Sequence, residues 1–149
     1  MLKVDGISRS YGELTVVDKL SFTVNEGEFV ALLGPSGCGK STSLKMIAGL
    51  EVPEAGSIEL DGRDITRLSP GERKLAMVFQ SYALFPHLKV EENILFGLQA
   101  RKVPKAEQKR RLDSVVEMVG LGDHLQKKPS QLSGGQCQRV ALARAIVAQ

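Results

Sequence analysis

Short apolar runs dominate the first eighty residues and predict a strand-rich region. Strands are expected over residues 2–8, 20–24 and 29–33, with turns at Tyr11-Gly12-Glu13 and Asn25-Glu26-Gly27 between them. Residues 56–62 alternate polar and apolar side chains and end in Asp61-Gly62, a hairpin signal. A return strand is expected within residues 63–68, and residues 69–72 are expected to break it.

Two runs are apolar at every position, residues 29–33 and 75–79. Uninterrupted apolar strands are typical of a parallel sheet that is covered on both faces. The sequence therefore predicts two buried parallel strands there, beside the antiparallel β piece.

Helical spacing appears in four places. Residues 40–48 form a short predicted helix that Gly49 closes, with Leu44, Ile47 and Ala48 on its apolar side. Later helices carry apolar residues three and four positions apart. One is marked by Val90, Ile94 and Leu98, and the next by Leu112, Val115, Val116 and Val119. The helix that follows Ser133 is apolar nearly all round, so we expect it to be buried.

The phosphate loop, residues 34–42, is the most specific motif in the chain. It consists of Gly34, Pro35, Ser36, Gly37, Cys38, Gly39, Lys40, Ser41 and Thr42. A loop that cradles nucleotide phosphates has this pattern: a glycine, four further residues and then Gly-Lys-Ser. The glycines let backbone N–H groups point inward, and the following helix start adds partial positive charge. Lys40 is expected to reach the β- and γ-phosphates, and the Ser41 hydroxyl to hold Mg²⁺.

Two polar positions leave alternatives open. Gln80 ends the second buried run, and ligands bind beyond the carboxyl ends of strands in open α/β sheets. Its amide either ligates Mg²⁺ or holds a water, or it is a solvated loop residue. Tyr11 lies at a strand end, where its ring either stacks on a base or covers a sheet edge.

Composition narrows the classes of protein. The chain has 149 residues, of which 42% are hydrophobic and 25% charged, which is ordinary for a globular domain. The net charge is +3 with both signs mixed, so no nucleic-acid footprint is indicated. Cys38 and Cys137 lie far apart and favour a reducing compartment over a disulfide framework. No run is long enough for a membrane span, and the N-terminus does not read as a signal peptide.

The remaining segments are less specific. The 81–88 loop crowds Tyr82, Phe85, Pro86 and His87 into a surface segment, which suggests a docking face. His87 and His124 lack further ligands at metal spacing and are interpreted as ordinary loop residues. The basic run around residues 105–111 is interpreted as a solvated helix face.

The signature segment, residues 132–136, is a second potential anion site. It comprises Leu132, Ser133, Gly134, Gly135 and Gln136. Ser133 is a good helix N-cap, and two glycines leave N–H groups unobstructed. Capping alone would explain Ser133 but not the five-residue combination.

Together these motifs give the chain a resemblance to the ATP-binding-cassette (ABC) ATPases. The signature segment looks like that family's signature motif, and the order phosphate loop, Gln80, signature matches across the whole chain. Residues 78–88 resemble the importer branch that takes up sugars, glycerol phosphate, polyamines and similar solutes.

The resemblance implies roles for the matching positions. Tyr11 would stack on adenine, and the phosphate loop would bind ATP. Gln80 would ligate Mg²⁺ and sense a transmembrane partner. The signature segment would contact the γ-phosphate of ATP bound to the opposite protomer, so two subunits, a homodimer or a paired ATPase, would complete each site. The 81–88 loop would receive the membrane permease subunit. The protein would then lie peripherally on the cytoplasmic face of the inner membrane.

The resemblance also implies a fold class: α/β, a phosphate-loop NTPase core with an antiparallel β subdomain and a helical subdomain. The predicted divisions are a core over residues 1–88, a helical subdomain over 89–135, and a signature helix over 136–149 that returns to the core. Cys137 replaces the glutamine usual in importers. The family's Asp-ending strand, catalytic Glu and switch His have no match in the sequence. We therefore expect a C-terminally truncated chain with an incomplete sheet, inactive alone and prone to aggregate.

Other classes remain as alternatives. A nucleotide kinase or GTPase would share only the phosphate loop. A non-transport ABC protein acting on chromosomes would carry a long coiled coil between the motifs, whereas about fifty residues separate Gln80 from Leu132 here. A ribosome-acting ABC protein or an inactive remnant stays possible from the sequence.

Overall fold

A computed structural model describes residues 1–148. The chain divides into two compact units, Met1–Leu75 and Ala76–Gln149. Each unit has a hydrophobic core of its own.

The first unit is a four-stranded antiparallel sheet with a helix against it. Its strands are β1 (Leu2–Tyr11), β2 (Leu14–Val24), β3 (Ala55–Leu60) and β4 (Arg63–Asp64), in the order β2-β1-β3-β4. Its helices are α1 (Lys40–Ala48) and α2 (Pro70–Arg73). The core comprises Val4, Ile7, Val17, Met46, Ile58 and Ile65. Turns at Gly12-Glu13 and Glu26-Gly27, and the hairpin turn Asp61-Gly62, are confirmed.

Neither of the two continuous apolar runs forms a strand, so both strand predictions are wrong for this structure. Residues 29–33 and 75–79 have no regular secondary structure. Phe29 is 92% and Leu33 91% exposed. A strand needs neighbours for its backbone N–H and C=O groups. Within residues 1–148 the one sheet has four strands, and neither run lies beside any of them.

Three smaller expectations are corrected in the first unit. Helix α1 buries Ser43 and Met46, whereas Leu44 is half exposed. The return strand is only the two residues of β4. Residues 69–72 do not merely break the chain but begin α2, where the Ser69 N–H donates to the Glu72 carboxylate at 2.9 Å. This capping box closes a helical turn that sequence reasoning treated as a break.

The second unit is helical. It contains α3 (Val90–Ala100), α4 (Lys105–Val119) and α5 (Gly134–Val147), with single 3₁₀ turns at Gly122–His124 and Pro129–Gln131. Its core combines residues from all three helices with Leu121, which follows α4: Val90, Ile94, Leu95, Leu98, Leu112, Val115, Val116, Leu121, Val140, Ala143 and Val147. The predicted apolar stripes of α3 and α4 are confirmed. Gly120 ends α4 in the left-handed conformation.

Helix α5 is buried on one face rather than all round. Val140, Ala143 and Val147 are buried, but Leu142 is 44% exposed. Whether the chain divides functionally as the sequence predicts stays a prediction. Among residues 1–148, no helix has both the length and the apolar character to span a bilayer.

Candidate nucleotide-binding site

The phosphate loop leads into α1, and Gly39 at its end fits closely against β2. Gly37 and Gly39 have φ of 84° and 86°, the left-handed region that favours glycine. A Cβ at Gly39 would lie 2.4 Å from the Val16 carbonyl oxygen and 2.9 Å from Val17 Cγ2. Both the conformation and the space therefore require glycine at this position.

The start of α1 is left open. Gly39 is the N-cap and supplies no side-chain hydrogen bond. The first hydrogen bond runs from the Ser43 N–H to the Gly39 carbonyl at 2.8 Å. The N–H groups of Lys40, Ser41 and Thr42 thus precede the helical ladder, which makes this end a fit for an anion.

Lys40 places a positive charge over the same loop. Its ammonium donates to the Gly34 carbonyl at 2.7 Å and the Pro35 carbonyl at 2.6 Å. It also lies 3.4 Å from the Cys38 sulfur. A cation held only by neutral loop groups can accept a phosphate oxygen as an additional partner. The donor set of the loop is therefore suited to a nucleotide's phosphates.

The remaining residues of the phosphate loop lie at the surface. Pro35, Ser36, Cys38 and Ser41 are exposed and Thr42 is half-buried. The Ser41 hydroxyl is the magnesium ligand expected from sequence. Gln80, the second expected ligand, is exposed in a turn of the other unit. Their joint ligation of one ion stays a prediction.

Tyr11 sits at the end of the β1–β2 hairpin, paired with Leu14. Val16 and Val17, which contact the phosphate loop, follow shortly on β2. The Tyr11 hydroxyl hydrogen-bonds to the Glu51 carboxylate, and the Arg9 guanidinium carbon lies 5.1 Å from the ring centre. The ring is nevertheless 47% exposed. Stacking on adenine stays a prediction, with Arg9 and Glu51 as residues that orient the ring.

The signature segment forms the start of α5. Ser133 is the N-cap, and its hydroxyl accepts from the Gln136 N–H at 3.3 Å. The Gln136 side-chain oxygen in turn accepts from the Ser133 N–H at 2.8 Å. Ser133, Gly134 and Gly135 are exposed, and a Cβ at either glycine would meet nothing within 4 Å. The capping prediction is confirmed, and the segment is accessible to a second molecule.

The 81–88 loop is held by two residues that sequence reasoning missed. The Asn93 side chain is fully buried, accepts from the Phe85 N–H at 2.8 Å and donates to the Phe85 and Leu88 carbonyls at 3.1 Å. Arg144 donates to the Ala83 carbonyl at 2.8 Å and the Tyr82 carbonyl at 3.0 Å. Burial lowers the pKa of the Arg144 guanidinium. A polar residue among the apolar positions of α3 was the available signal for Asn93.

Arg73 is a third residue that sequence reasoning missed. It is 2% exposed, and its guanidinium donates to the Met46 and Ile47 carbonyls in the last turn of α1, at 2.6 and 2.8 Å. It also donates to the Leu68 and Thr66 carbonyls at 2.9 and 2.8 Å. Burial lowers the pKa of Arg73, and the Asp64 carboxylate opposes that shift. Arg73 therefore fixes the far end of the helix whose start carries the phosphate loop.

A glycine-rich loop at an open helix start, with a lysine folded over it, is the geometry of the phosphate-loop class of nucleotide-binding proteins. The comparisons with known proteins are more specific. Residues 17–149 match a family model described as "ABC transporter". The chain therefore belongs to the ABC transporter family.

Curated proteins similar to this chain are import ATP-binding proteins. The chain is 51% identical to the spermidine/putrescine import ATP-binding protein PotA of Thermobifida fusca, over 98% of the chain and 39% of that protein. It is 54% identical to the sulfate/thiosulfate import ATP-binding protein CysA 2 of Chromobacterium violaceum, over 97% of the chain and 39% of that protein. The chain thus spans about two fifths of the length of these relatives.

Solved structures share the fold. The dimeric bacterial ABC transporter cassette MJ0796 superposes with a TM-score of 0.88 at 34% identity, covering 99% of this chain and 70% of that one. A second structure of MJ0796, a post-hydrolysis dimer bound to ADP and phosphate, gives 0.85 at 33% identity over the same shares. The predicted fold class, an ABC-type α/β core with an incomplete sheet, is confirmed.

Proposed function

We propose that this chain is the ATP-binding and ATP-hydrolysing part of an ABC importer, in which ATP-driven dimerisation is coupled to solute uptake. One observation carries the proposal: the chain has two glycine-marked starts of long helices that differ in how they are capped. The start of α1 is open and cationic, and the start of α5 is exposed but capped by its own serine. One is suited to hold a triphosphate, and the other to touch a triphosphate held elsewhere.

In the proposed site the phosphate loop binds the phosphates through backbone N–H groups, and Lys40 neutralises charge on the β- and γ-phosphates. The Tyr11 ring supports the base. Mg²⁺, when bound through the Ser41 hydroxyl and the Gln80 amide, would offset the negative charge that develops on the transferred phosphoryl group. Lys40 and Gln80 are the residues of this chain to which we assign catalytic roles.

The second half of each site comes from another subunit. We assign Leu132, Ser133, Gly134, Gly135 and Gln136 to the ATP of the opposite protomer, in a homodimer or a pair with a related ATPase. The exposure of Ser133, Gly134 and Gly135 supports this assignment, and so does the dimeric structure of MJ0796. Nothing in the charge pattern favours a nucleic-acid partner.

The 81–88 loop is the proposed contact for membrane permease subunits, which would place the protein at the cytoplasmic face of the inner membrane. Tyr82 and Ala83 have φ of 62° and 44°, uncommon for non-glycine residues, and Arg144 holds both carbonyls. Backbone strain kept in place by a half-buried arginine is typical of a functional loop. The relatives import a polyamine in one case and sulfate in another, so the solute class is proposed only as a small polar solute such as a sugar, glycerol phosphate or polyamine.

The test is nucleotide binding and nucleotide-dependent dimerisation of the full chain with Mg²⁺. Lys40→Ala should weaken binding of a fluorescent ATP analogue about 10- to 100-fold, the value of a lost charge-assisted hydrogen bond. The matched control is Lys109→Ala, an exposed lysine on the solvated face of α4, which should bind as the unmodified chain does.

Ser133 separates the two halves of the proposal. Ser133→Gly keeps most of the helix cap but removes the hydroxyl. It should leave binding of the analogue to the monomer unchanged and weaken ATP-dependent dimerisation, measured by sedimentation. Binding of the analogue that is indifferent to Lys40→Ala would overturn the proposed nucleotide site, and dimerisation indifferent to Ser133→Gly would overturn the assignment of the signature segment.

A further inference from the structure

The cap of α5 is connected by a hydrogen bond to a histidine outside the signature segment. The Gln136 side-chain nitrogen lies 2.9 Å from His124 Nε2, on the 3₁₀ turn that follows α4. The other end of the same amide accepts from the Ser133 N–H at 2.8 Å. Ser133, Gln136 and His124 thus form one chain of hydrogen bonds.

Donor and acceptor bookkeeping fixes the direction of that chain. The Ser133 backbone N–H can only donate, so the atom of Gln136 that faces it is the amide oxygen. The amide NH₂ group therefore faces His124 and donates. His124 Nε2 must accept, which requires an imidazole that is neutral and carries its proton on Nδ1.

The same assignment of donors and acceptors excludes a protonated His124 ring in this arrangement. A doubly protonated ring would present an N–H to the Gln136 NH₂ group, donor against donor. Rotating the amide by 180° would satisfy His124 but set the amide nitrogen against the Ser133 N–H. His124 Nδ1 is buried and has no hydrogen-bond partner within residues 1–148, so the other side of the ring offers no compensation.

We propose that His124 is a positioning residue for the signature segment: its neutral ring holds the Gln136 amide, and the amide holds the Ser133 N–H in the cap. Protonation of His124 breaks this chain and loosens the start of α5. The inference rests on the proposed function, because the segment it positions is the one assigned to the ATP of the opposite protomer. It assigns a pH response to that contact and leaves the phosphate loop untouched.

Charged groups on the surrounding elements either bond to other partners or are at least partly exposed to solvent. At the start of α3, Glu91 and Lys89 bond to the two ends of the Gln126 amide. On α5, Arg139 donates to the Val119 and Gly120 carbonyls at 3.2 and 3.5 Å. Asp123 and Lys128 on the turns themselves are exposed, and Lys127 is half-buried. In the described part of the chain none of these groups hydrogen-bonds to the His124 ring, so Gln136 is the group that responds to its charge.

Two measurements on the full chain test the inference. In nitrogen-15 spectra at pH 8, the His124 imidazole should show its proton on Nδ1, and the Ser133 amide signal should move together with the His124 ring signals when the pH is lowered. ATP-dependent dimerisation should weaken about three- to tenfold between pH 8 and pH 5.5, the range expected for loss of a helix cap. Binding of the ATP analogue to the monomer should not follow the same profile.

Variants at one position make the prediction sharp. His124→Gln keeps an acceptor near Nε2 without a titrating group, so dimerisation should stay strong and become independent of pH over this range. His124→Phe keeps the ring size without the acceptor and should be weak at both pH values. Asp123→Asn, which changes charge on the adjacent exposed residue, should keep the original profile.

Several outcomes would overturn the inference. They are a proton on Nε2 at pH 8, a His124→Gln chain that retains the original pH profile, or an Asp123→Asn chain that loses it. Absence of any ATP-dependent dimer at every pH would instead contradict the proposed function. The imidazole and Ser133 amide spectra would still decide the role of His124 in that case.

Discussion

The starts of α1 and α5 solve the same problem in opposite ways. Both helices begin with N–H groups that lack helical partners, and glycine lies at the start of each helix. At α1 the N-cap is Gly39 in the left-handed conformation, without any side-chain bond, and Lys40 lies over the loop. At α5 the N-cap is Ser133 in an extended conformation, and a reciprocal pair of bonds with Gln136 closes the cap.

Under the proposed function, this difference shows how one chain can use its two helix starts for two different ATP molecules. A start that is open and cationic lacks a partner until an anion binds, so it suits the nucleotide site proposed for the same chain. A start that is already capped is stable by itself, so it can be presented on the surface for a second subunit. The glycines follow the same division, because those of the phosphate loop are required by geometry and those of the signature segment are not.

The largest expected effect is at Gly39. Gly39→Ala forces a Cβ to within 2.4 Å of the Val16 carbonyl and keeps the residue in the left-handed region. Strain and overpacking together should lower the free energy of unfolding by about 2 to 5 kcal/mol. At the other start, Gly134→Ala and Gly135→Ala meet nothing within 4 Å and take up ordinary helical positions. Those variants should change stability by less than about 0.5 kcal/mol.

Chemical denaturation of the Gly39, Gly134 and Gly135 variants checks this contrast in stability between the two helix starts. Gly37→Ala serves as an intermediate case, because its φ is 84° but the space beside it is empty. It should cost only the left-handed backbone term of about 1 to 2 kcal/mol. Equal losses at Gly39 and Gly134 would show that the two starts do not differ in the way the structure indicates.

The far ends of the two helices provide the next contrast. Arg73 is buried and bonds to four carbonyls, two of them at the end of α1. Arg73→Met removes one donor from each of these carbonyls, although the Met46 carbonyl keeps the Gly49 N–H, and should cost about 2 to 4 kcal/mol. Arg101 bonds to the Ala148 carbonyl at 2.7 Å beyond the end of α5, but is exposed. Arg101→Met should cost less than about 0.5 kcal/mol.

Thermal unfolding of both arginine variants distinguishes a structural clamp from a surface contact. Arg73→Lys is the informative control, because one ammonium can donate to only some of the four carbonyls and lacks the planar fork. It should recover part of the loss. A chain with Arg73→Met that unfolds at the original temperature would remove Arg73 from the support of the phosphate-loop helix.

Local patterns predicted much of this fold because they depend on neighbouring residues. The bounds of α1, the hairpin turn at Asp61-Gly62 and the Ser133 cap follow from spacing and side-chain chemistry within a few positions. The strands predicted over 29–33 and 75–79 failed because a strand forms only against a neighbour. Hydrophobicity along the chain records that a segment is suited to burial, but it does not supply the backbone partners within residues 1–148.

The residues of the candidate site also divide into those that local sequence identifies and those that it does not. The phosphate loop and the signature segment could be identified because each is a contiguous motif with its own geometry. Arg73, Asn93 and His124 could not, because each acts through atoms that lie far from it in sequence or on another element. A lone arginine, asparagine or histidine in a sequence is compatible with a solvated surface, and only its contacts show otherwise.

The start of α4 differs from the starts of α1 and α5 in its charge. A substitution there has the smallest predicted effect on stability. Neither α1 nor α5 has an acidic residue in its first turn, whereas α4 has Glu107. Its carboxylate accepts from Arg110 at 2.7 and 2.8 Å and from Arg111 at 2.6 Å, and these bonds lower the pKa of Glu107 from 4.5 to about 2.

Because the folded state holds the Glu107 proton less tightly than the unfolded state, its contribution to stability is complete above pH 4.5. That contribution should disappear as the pH falls through 2. Glu107→Gln should therefore flatten the stability profile between these values, measured by urea denaturation, and the loss at neutral pH should be small because the pair is near the surface. Glu117→Gln, at an exposed position on the same helix, should leave the profile unchanged. If both variants give the same profile, the start of α4 is not held by its own carboxylate, and charge in the first turn would no longer separate it from the two proposed nucleotide-contacting starts.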